Sequence, residues 1–506
     1  MLPTQTGNVL VDRRSQWLHL AVAALAIALT AMGIPNRLLH AFPAALVGLA
    51  PLFWLCWHLG LKQQFRWSAA VWLAVCTLIF LPDPISVPAL TTAEIVGGIV
   101  VAPLVPLYFI AATLLSLHLS RPCPDWLRPL AIATIWTGFD SSFGLLQLPF
   151  PLHFGAGLYD FPLGIQVADV TGIWGVTFLT ILANATLAAL ACTPQHQRWR
   201  VAGAGIALWS LSLLYGGIRL PIYAHFAESA SSYRVGTIQQ VAWLADDRSW
   251  TYREQHYRAM QELTQQAIAE GADLVVWPEG ALRAQVAGTE LERYAIFPLL
   301  PLLPEGGGLL TGSSEPAPAS ADLPWDRRQY INAALLYDSE GAIRDRYGKQ
   351  WLFQYFETGR YVPYAGGYRP LQGGERLGPL GVTICLESVM PRPSRALVRS
   401  GAESLLVISD DSWFGNSNWP ALHAALSTFR AVETRRSFAF VNNTGGNLIV
   451  APSGQIVEQG EIWQRSAISG PMLRRQELTP ATQWGDWFAG MTVAVTVGLA
   501  AISTRR

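Results

Sequence analysis

The sequence predicts two kinds of structure in one chain: a multi-pass α-helical membrane domain of eight spans, and an α/β domain lying between the seventh span and the eighth. Two observations predict it. Only 14% of the 506 residues are charged and 51% are hydrophobic, with mean hydropathy +0.27, whereas a soluble domain carries about 25% charge. So much apolar surface, including 20 Trp, must face something other than water. The apolar runs are also confined to residues 1–221 and 484–506, while residues 222–483 mix polar and apolar side chains. Lys+Arg and Asp+Glu balance at 35 each without a basic tract, which excludes a nucleic-acid partner. Five cysteines without paired spacing exclude a disulfide scaffold and a CxxC zinc site, and neither a metal nor a cofactor is expected.

In chain order the predicted spans are residues 17–34, 41–59, 67–81, 95–117, 130–146, 170–191 and 201–215, with 487–502 closing the chain. Each approaches the length a helix needs to cross about 30 Å of hydrocarbon at about 1.5 Å per residue. Asp140 and Asn184 fall inside spans and must face protein or water. Orientation follows from the loops, because Lys and Arg are retained on the cytoplasmic side. Arg13, Arg14, Lys62, Arg66, Arg121, Arg128, Arg198, Arg200, Arg505 and Arg506 fall in alternate loops, and the opposite short loops offer only Arg37. Both termini are therefore expected in the cytoplasm, with residues 222–483 outside. The first span looks like a signal peptide, but further spans follow and no cleavage site ends it, so it is expected to stay as an anchor.

Within residues 222–483, short β-like runs alternate with amphipathic helices, the pattern of one α/β domain. Strands are expected at 235–240, 274–277, 382–385 and 405–409, helices at 254–270, 395–400 and 421–436, and a last pair of strands across 438–457. A hairpin is expected over 332–347, turning at Ser339-Glu340-Gly341. The Gly/Pro/Ser-rich residues 305–320 predict a loop.

Three of these segments end an apolar strand with one reactive side chain. Leu274-Val275-Val276-Trp277-Pro278-Glu279 delivers a carboxylate, Arg346-Tyr347-Gly348-Lys349 an amine, and Gly381-Val382-Thr383-Ile384-Cys385 a thiol. A thiol near its reference pKa of about 8.5 is mostly protonated at neutral pH, so a nucleophilic cysteine needs a base, which Glu279 could supply. A tetrahedral intermediate would carry an oxyanion that the Lys349 ammonium and backbone N–H groups could stabilise. Singly, each residue has a plainer role. A strand-end cysteine is more often a small buried hydrophobe, Glu279 could be an N-cap, Lys349 a solvated hairpin end and Glu387 an ion-pair partner.

Together, in this order and with these neighbours, the three resemble the Glu-Lys-Cys triad of the nitrilase (carbon-nitrogen hydrolase) superfamily. With seven spans before that domain and one after, the chain resembles the membrane branch of that superfamily, the apolipoprotein N-acyltransferases, over almost its whole length. Gly271-Ala272-Asp273-Leu274, Asn332-Ala333-Ala334-Leu335-Leu336, Ser409-Asp410-Asp411-Ser412-Trp413-Phe414-Gly415 and, in the membrane half, Gly172-Ile173-Trp174-Gly175-Val176 are further matches. The resemblance implies a nitrilase-like α-β-β-α sandwich with catalytic Glu279, Lys349 and Cys385, supported by a second essential glutamate at Glu357 and an acidic residue at Glu387. The chain departs from the family pattern at Leu386, where a tyrosine is usual, at Asp410, where asparagine is common, and in the rebuilt segment from Gln350 to Tyr361.

The implied activity is a two-step transfer. Cys385 takes an acyl chain from a phospholipid as a thioester, and the N-terminal amine of a diacylglyceryl-cysteine apolipoprotein then collects it. The implied setting is the bacterial inner membrane with the catalytic domain on the periplasmic side, and a monomer is expected. Aromatics after the lysine (Trp351, Phe353, Tyr355, Phe356, Tyr361) and on the Trp413-Phe414 segment are candidates for a lipid-facing entrance, with an ordinary aromatic core as the alternative. Rival functions are an acyltransferase acting on another amine, a membrane-tethered amidase or nitrilase, and a noncatalytic lipid-binding protein.

Overall fold

The computed structural model describes residues 13–80, 103–145, 152–241, 250–282, 290–320, 322–323, 327–353, 357–415 and 417–503. Helices occupy all eight positions where spans are expected: Arg13–Gly33, Phe42–Val47 with Ala50–Cys56, Leu61–Phe80, Leu104–Leu119, Arg128–Leu145, Ile173–Cys192, Arg198–Ser229 and Trp487–Ser503. Among the described residues, Gln16–Gly33, Ile173–Cys192 and Gln195–Ser229 are long and apolar enough to cross a membrane, whereas Phe42–Cys56, Leu104–Leu119 and Trp487–Ser503 are shorter apolar helices. Residues 81, 95–102 and 146 of the expected spans lie outside the described residues.

Two of these helices depart from the sequence reading, each for a local reason. The second is broken, because Pro51 opens its latter half and cannot continue a helical hydrogen-bond ladder. Asn184 repairs the break: its Oδ1 accepts from the Leu49 and Ala50 N–H groups at 2.7 and 3.0 Å, and its Nδ2 donates to the Ala45 carbonyl at 2.8 Å. That is why a fully buried asparagine is tolerated there. The Arg198–Ser229 helix is 32 residues long and continues well past residue 215, reaching about 48 Å at about 1.5 Å per residue. Apolarity fades at Arg219 and the helix does not, because Arg219 and Tyr215 both find Asp169, at 3.0 and 2.8 Å. Residues 222–229 are therefore helical, and the first strand starts at Ser232.

Among the described residues the α/β part contains twelve strands: β1 (Ser232–Gln239), β2 (Leu274–Val276), β3 (Gly308–Pro316), β4 (Tyr330–Asp338), β5 (Ile343–Gly348), β6 (Leu371–Gln372), β7 (Pro379–Ile384), β8 (Ser404–Ser409), β9 (Phe438–Asn442), β10 (Leu448–Val450), β11 (Ile456–Gln459) and β12 (Ser466–Leu473). They form two six-stranded sheets in the orders β12-β1-β2-β3-β4-β5 and β11-β10-β9-β8-β7-β6. Val235, Val276, Leu310 and Leu336 of the first sheet meet Val382, Ile384, Leu406 and Val441 of the second in one buried cluster between the sheets. The outer face of the first sheet packs on the Trp250–Ala269 helix through Val275, Trp277 and Met260, and that of the second on the Pro391–Arg399 and Trp419–Thr434 helices through Val407, Leu397 and Ala431. The layers therefore run α-β-β-α.

The expected loop over 305–320 is corrected: nine of its residues form β3, paired parallel to β2 and antiparallel to β4. Its small residues serve close packing rather than a turn. A Cβ on Gly312 would lie 2.6 Å from the Glu279 Cα, so only glycine lets the turn carrying Glu279 lie on β3.

The sandwich is fastened to the helices by buried ion pairs. Arg435 binds Asp169 at 2.8 Å, Arg395 binds Asp486 at 2.6 Å, and Trp174 also donates to Asp486. Glu433, fully buried, accepts the Ile173 N–H at 2.8 Å and so caps the helix that Gly172, at φ +68°, begins.

Candidate active site

Glu279, Lys349 and Cys385 come from three different strand ends, and the two sheets bring them together. Glu279 follows β2 by way of Trp277 and Pro278, Lys349 directly follows β5, and Cys385 directly follows β7. The Lys349 ammonium, 1% exposed, lies 2.8 Å from Glu357 Oε1 and 3.5 Å from Glu279 Oε1. Asn332, buried on β4, joins the same two carboxylates, donating from Nδ2 to Glu279 at 2.6 Å and to Glu357 at 3.1 Å. The Asp410 N–H occupies the other oxygen of Glu279 at 3.0 Å.

This crowding sets the proton affinities. Burial pushes the Glu279 carboxyl up to about 7; Lys349 pulls it back and Glu357 adds to the rise. Burial alone would lower the Lys349 proton affinity, but Cys385, Glu357 and Glu279 outweigh it and hold the ammonium well above its usual value. Burial likewise pushes the Cys385 thiol well above its usual value, against the pull of Lys349 and with a further push from Glu279. The thiol thus keeps its proton at rest beside a carboxyl poised near neutrality.

Cys385 adopts φ +52°, one of four described non-glycine residues with positive φ, a conformation that persists only where the surroundings enforce it. Glu387, two residues on and fully buried, is one enforcer. Its carboxylate accepts from the Ile384 N–H at 3.0 Å, the Gln350 and Trp351 N–H groups at 2.8 and 3.2 Å, and the Tyr347 hydroxyl at 2.9 Å. Glu387 therefore ties the turn of the cysteine to the turn of the lysine. Glu357 does the same within the lysine segment, accepting the Phe353 N–H at 2.7 Å.

The aromatic candidates divide. Trp351 and Phe353 pack with Cys385, Leu386 and Val389 against one apolar cluster that continues through Phe80, Phe109 and Phe154 of the helical part. Phe414 stacks on Trp419, which in turn lies 4.6 Å from Phe80. Tyr361 instead turns into the sandwich, its hydroxyl 2.9 Å from Ser314 Oγ, which removes it from a lipid-facing arm. Trp413 belongs to the short helix Ser412–Phe414, and Tyr355 and Phe356 lie outside the described residues. Asn332 was visible in the sequence as part of a motif, but its bridging role needs the β3–β4–β5 pairing and had no local signal.

Residues 309–485 match the carbon-nitrogen hydrolase family and residues 17–186 match the apolipoprotein N-acyltransferase N-terminal domain. An apolipoprotein N-acyltransferase of Geobacter metallireducens is 28% identical over 529 residues, covering 96% of this chain and 95% of that one. The chain is similar to apolipoprotein N-acyltransferases along nearly its whole length. A second relative of that name, from Chlorobaculum tepidum, is 24% identical and covers 92% of this chain and 93% of its own. Among solved structures, a carbon-nitrogen hydrolase from Helicobacter pylori G27 is similar at 16% identity, TM-score 0.39, over 48% of this chain and 89% of that one. The two matched domains come in the order of the two parts, helices first and sandwich second.

Proposed function

We propose that the chain transfers an acyl chain from a phospholipid, through a thioester on Cys385, to the N-terminal amine of a diacylglyceryl-cysteine apolipoprotein. The observation that carries this reading is the position of the nucleophile. Cys385 sits against an apolar cluster shared with the membrane helices, while its other neighbours are the buried Lys349 and Glu279. A thiol so placed can meet an ester whose acyl chains stay in the bilayer.

In the first step the Cys385 thiol gives its proton to Glu279 as sulfur bonds to the ester carbonyl, whose π electrons move to oxygen. Lys349 offsets the charge of that oxyanion. Collapse breaks the ester C–O bond, and the departing lysophospholipid oxygen takes the proton back from Glu279. In the second step the acceptor amine attacks the thioester, Glu279 takes a proton from the nitrogen, and the C–S bond breaks as the departing sulfur takes that proton from Glu279, which restores the thiol. Glu357 and Asn332 hold the lysine and the base; Glu387 holds the two turns together.

Eight spans with both termini in the cytoplasm and residues 222–483 on the periplasmic face of the inner membrane complete the proposal. Contacts at the two ends of the helices support it. The expected inward ends meet each other, as where Arg121 donates to the Leu59 carbonyl and Arg128 stacks on Trp57. The expected outward ends meet the sandwich, as where Asn418 accepts from the Arg37 N–H and donates to the Ile79 carbonyl. Leu386, buried where a tyrosine is usual, favours a second reading in which the same thioester is passed to another amine. Incubating the purified protein with phospholipid and measuring its intact mass tests the first step; adding a diacylglyceryl peptide with a free N-terminal amine tests the second. No acyl adduct would refute the mechanism, and an adduct that discharges only to other amines would refute the acceptor.

A further inference from the structure

The Ser409-Asp410-Asp411-Ser412 turn does more than donate one N–H to Glu279. The next carboxylate, Asp411, is fully buried and accepts from Asn442 Nδ2 at 2.6 Å and from Ser409 Oγ at 3.1 Å. Both of its oxygens also face His423 Nδ1, at 2.9 and 3.0 Å, which puts a hydrogen on that nitrogen. The opposite ring nitrogen, Nε2, lies 3.0 Å from Ser388 Oγ and 3.3 Å from the carbonyl oxygen of Cys385. The Ser388 hydroxyl donates to that same carbonyl at 2.7 Å and is held on its other side by Ser427 Oγ at 2.8 Å. Ser388 thus holds one backbone oxygen of the nucleophile, and His423 and Ser427 of the Trp419–Thr434 helix hold Ser388.

That oxygen fixes something else. A peptide unit is planar and trans, so the carbonyl of Cys385 and the N–H of Leu386 point in opposite directions. Ser388, whose hydroxyl oxygen lies between His423 Nε2 and Ser427 Oγ, holds the carbonyl toward the outer helix layer. The N–H therefore points away from that layer. As the second residue of a short helix, Leu386 also has no helical carbonyl to donate to.

We propose that Ser388 and His423, the latter held by Asp411, are positioning residues that lock the Cys385–Leu386 peptide so that its N–H joins Lys349 in receiving the oxyanion. The strained φ at Cys385 is kept in place by this lock as well as by Glu387. Because Asp410 and Asp411 are adjacent, one turn sets both the base and the peptide of the nucleophile. The inference rests on the proposed thioester chemistry.

The test compares two reactions of the same sulfur in the full-length protein. Acylation by phospholipid vesicles passes through an oxyanion, whereas alkylation by iodoacetamide does not. Ser388→Ala and His423→Phe should slow acylation by about ten- to hundredfold, a partial loss of an oxyanion donor, and leave alkylation within about threefold of the unmodified protein. His423→Gln, which keeps a polar group near Nε2, should recover part of the loss. Acylation at the unmodified rate in Ser388→Ala, which removes a single oxygen and leaves the packing intact, would overturn the proposal. So would a parallel fall in both reactions, since the residues would then act on the thiol or the fold. If the unmodified protein fails with phospholipid, the proposed function is what fails. A p-nitrophenyl fatty ester, which forms the same oxyanion on Cys385, then carries the comparison.

Discussion

Replacing Glu357 with glutamine should move the pH limb of Cys385 acylation downward. Glu279 must be unprotonated to accept the thiol proton, so the rate falls as pH drops through its pKa, which lies at about 7 in the intact site. The substitution keeps the size of the side chain and removes its charge. Two effects result, with the same sign: Glu279 loses a repelling neighbour, and Lys349, 2.8 Å from Glu357 and 3.5 Å from Glu279, turns more of its attraction on Glu279. Because one Asn332 nitrogen holds both Oε1 atoms, the two charges lie within about 6 Å, and Coulomb's law at an effective dielectric near 20 gives ~3 kcal/mol at that separation. Screening by the lysine between them halves that, for a shift of roughly one pH unit. The assay is the single-turnover acylation rate by intact mass from about pH 5 to about pH 9. The limb should fall near pH 6, and the plateau should also drop, because Lys349 loses its closest anchor. A limb that stays near 7 with a lower plateau would show that Glu279 is not the titrating base, and a limb that rises would show that the charge acts with the opposite sign.

Glu279→Gln and Lys349→Ala should each slow acylation by about two to four orders of magnitude, and the double variant should lose little more than the worse single one, since both act on one transition state; losses that multiply would mean independent action. Asn332→Ala should slow acylation by about tenfold or more, because removing a buried donor leaves two carboxylates without their shared partner; an unchanged rate would reduce Asn332 to packing. A cysteine engineered at the exposed Glu340 should react with an impermeant thiol reagent added outside intact cells, and reaction only after permeabilisation would overturn the proposed orientation. Discharge of the acyl-enzyme to a peptide amine should rise with pH through about 7.7 to 8.0, where an α-amine loses its proton, so the thioester should accumulate at lower pH; discharge that is independent of pH and of acceptor would indicate hydrolysis.

Of the three residues of the proposed site, Glu279 and Cys385 are legible because each ends a strand whose apolar run is visible locally, whereas the strand before Lys349 is charged and Lys349 is legible only from the order in which the chain brings the three up. What joins them was not legible. Asn332 reaches Glu279 and Glu357 only after β4 pairs with β3 and β5, a contact between residues 53 and 25 positions away. β3 hid behind its Gly, Ser and Pro content, since composition reports turn propensity while small residues here serve close packing. β12 could not be read from its own sequence, because its partner β1 lies more than two hundred residues earlier. Among the helices, the break at Pro51 was readable in principle from proline alone; its repair by Asn184 was not. The end of the Arg198–Ser229 helix is not legible because the apolar run fades before Arg219, while a buried Asp169 lets the helix continue.

In the proposed mechanism the two proton affinities of the site serve two different steps as a pair. A resting thiolate would react with any electrophile that entered from the membrane; burial prevents it by pushing the Cys385 thiol up, at the expense of nucleophilicity. Glu279 compensates because burial has pushed it up to about 7, far closer to the thiol than an ordinary carboxyl would be, which lowers the uphill cost of moving the proton. The same value suits the later proton transfers. A protonated Glu279 is acidic enough to quench the leaving lysophospholipid oxygen, and its conjugate base is strong enough to take a proton from an amine whose own pKa is about 8. A carboxyl left near its ordinary value of about 4.3 would fail as a base in both steps, and one raised much further would fail as an acid in the first. Lys349 holds the value between those limits, since its ammonium opposes the burial that raises Glu279 and is itself kept charged by the two glutamates around it. The triad is therefore tuned by a balance of one cation against two buried carboxylates, which is why Glu357, although it touches neither substrate nor sulfur in this reading, is as much a part of the chemistry as the residues it adjoins.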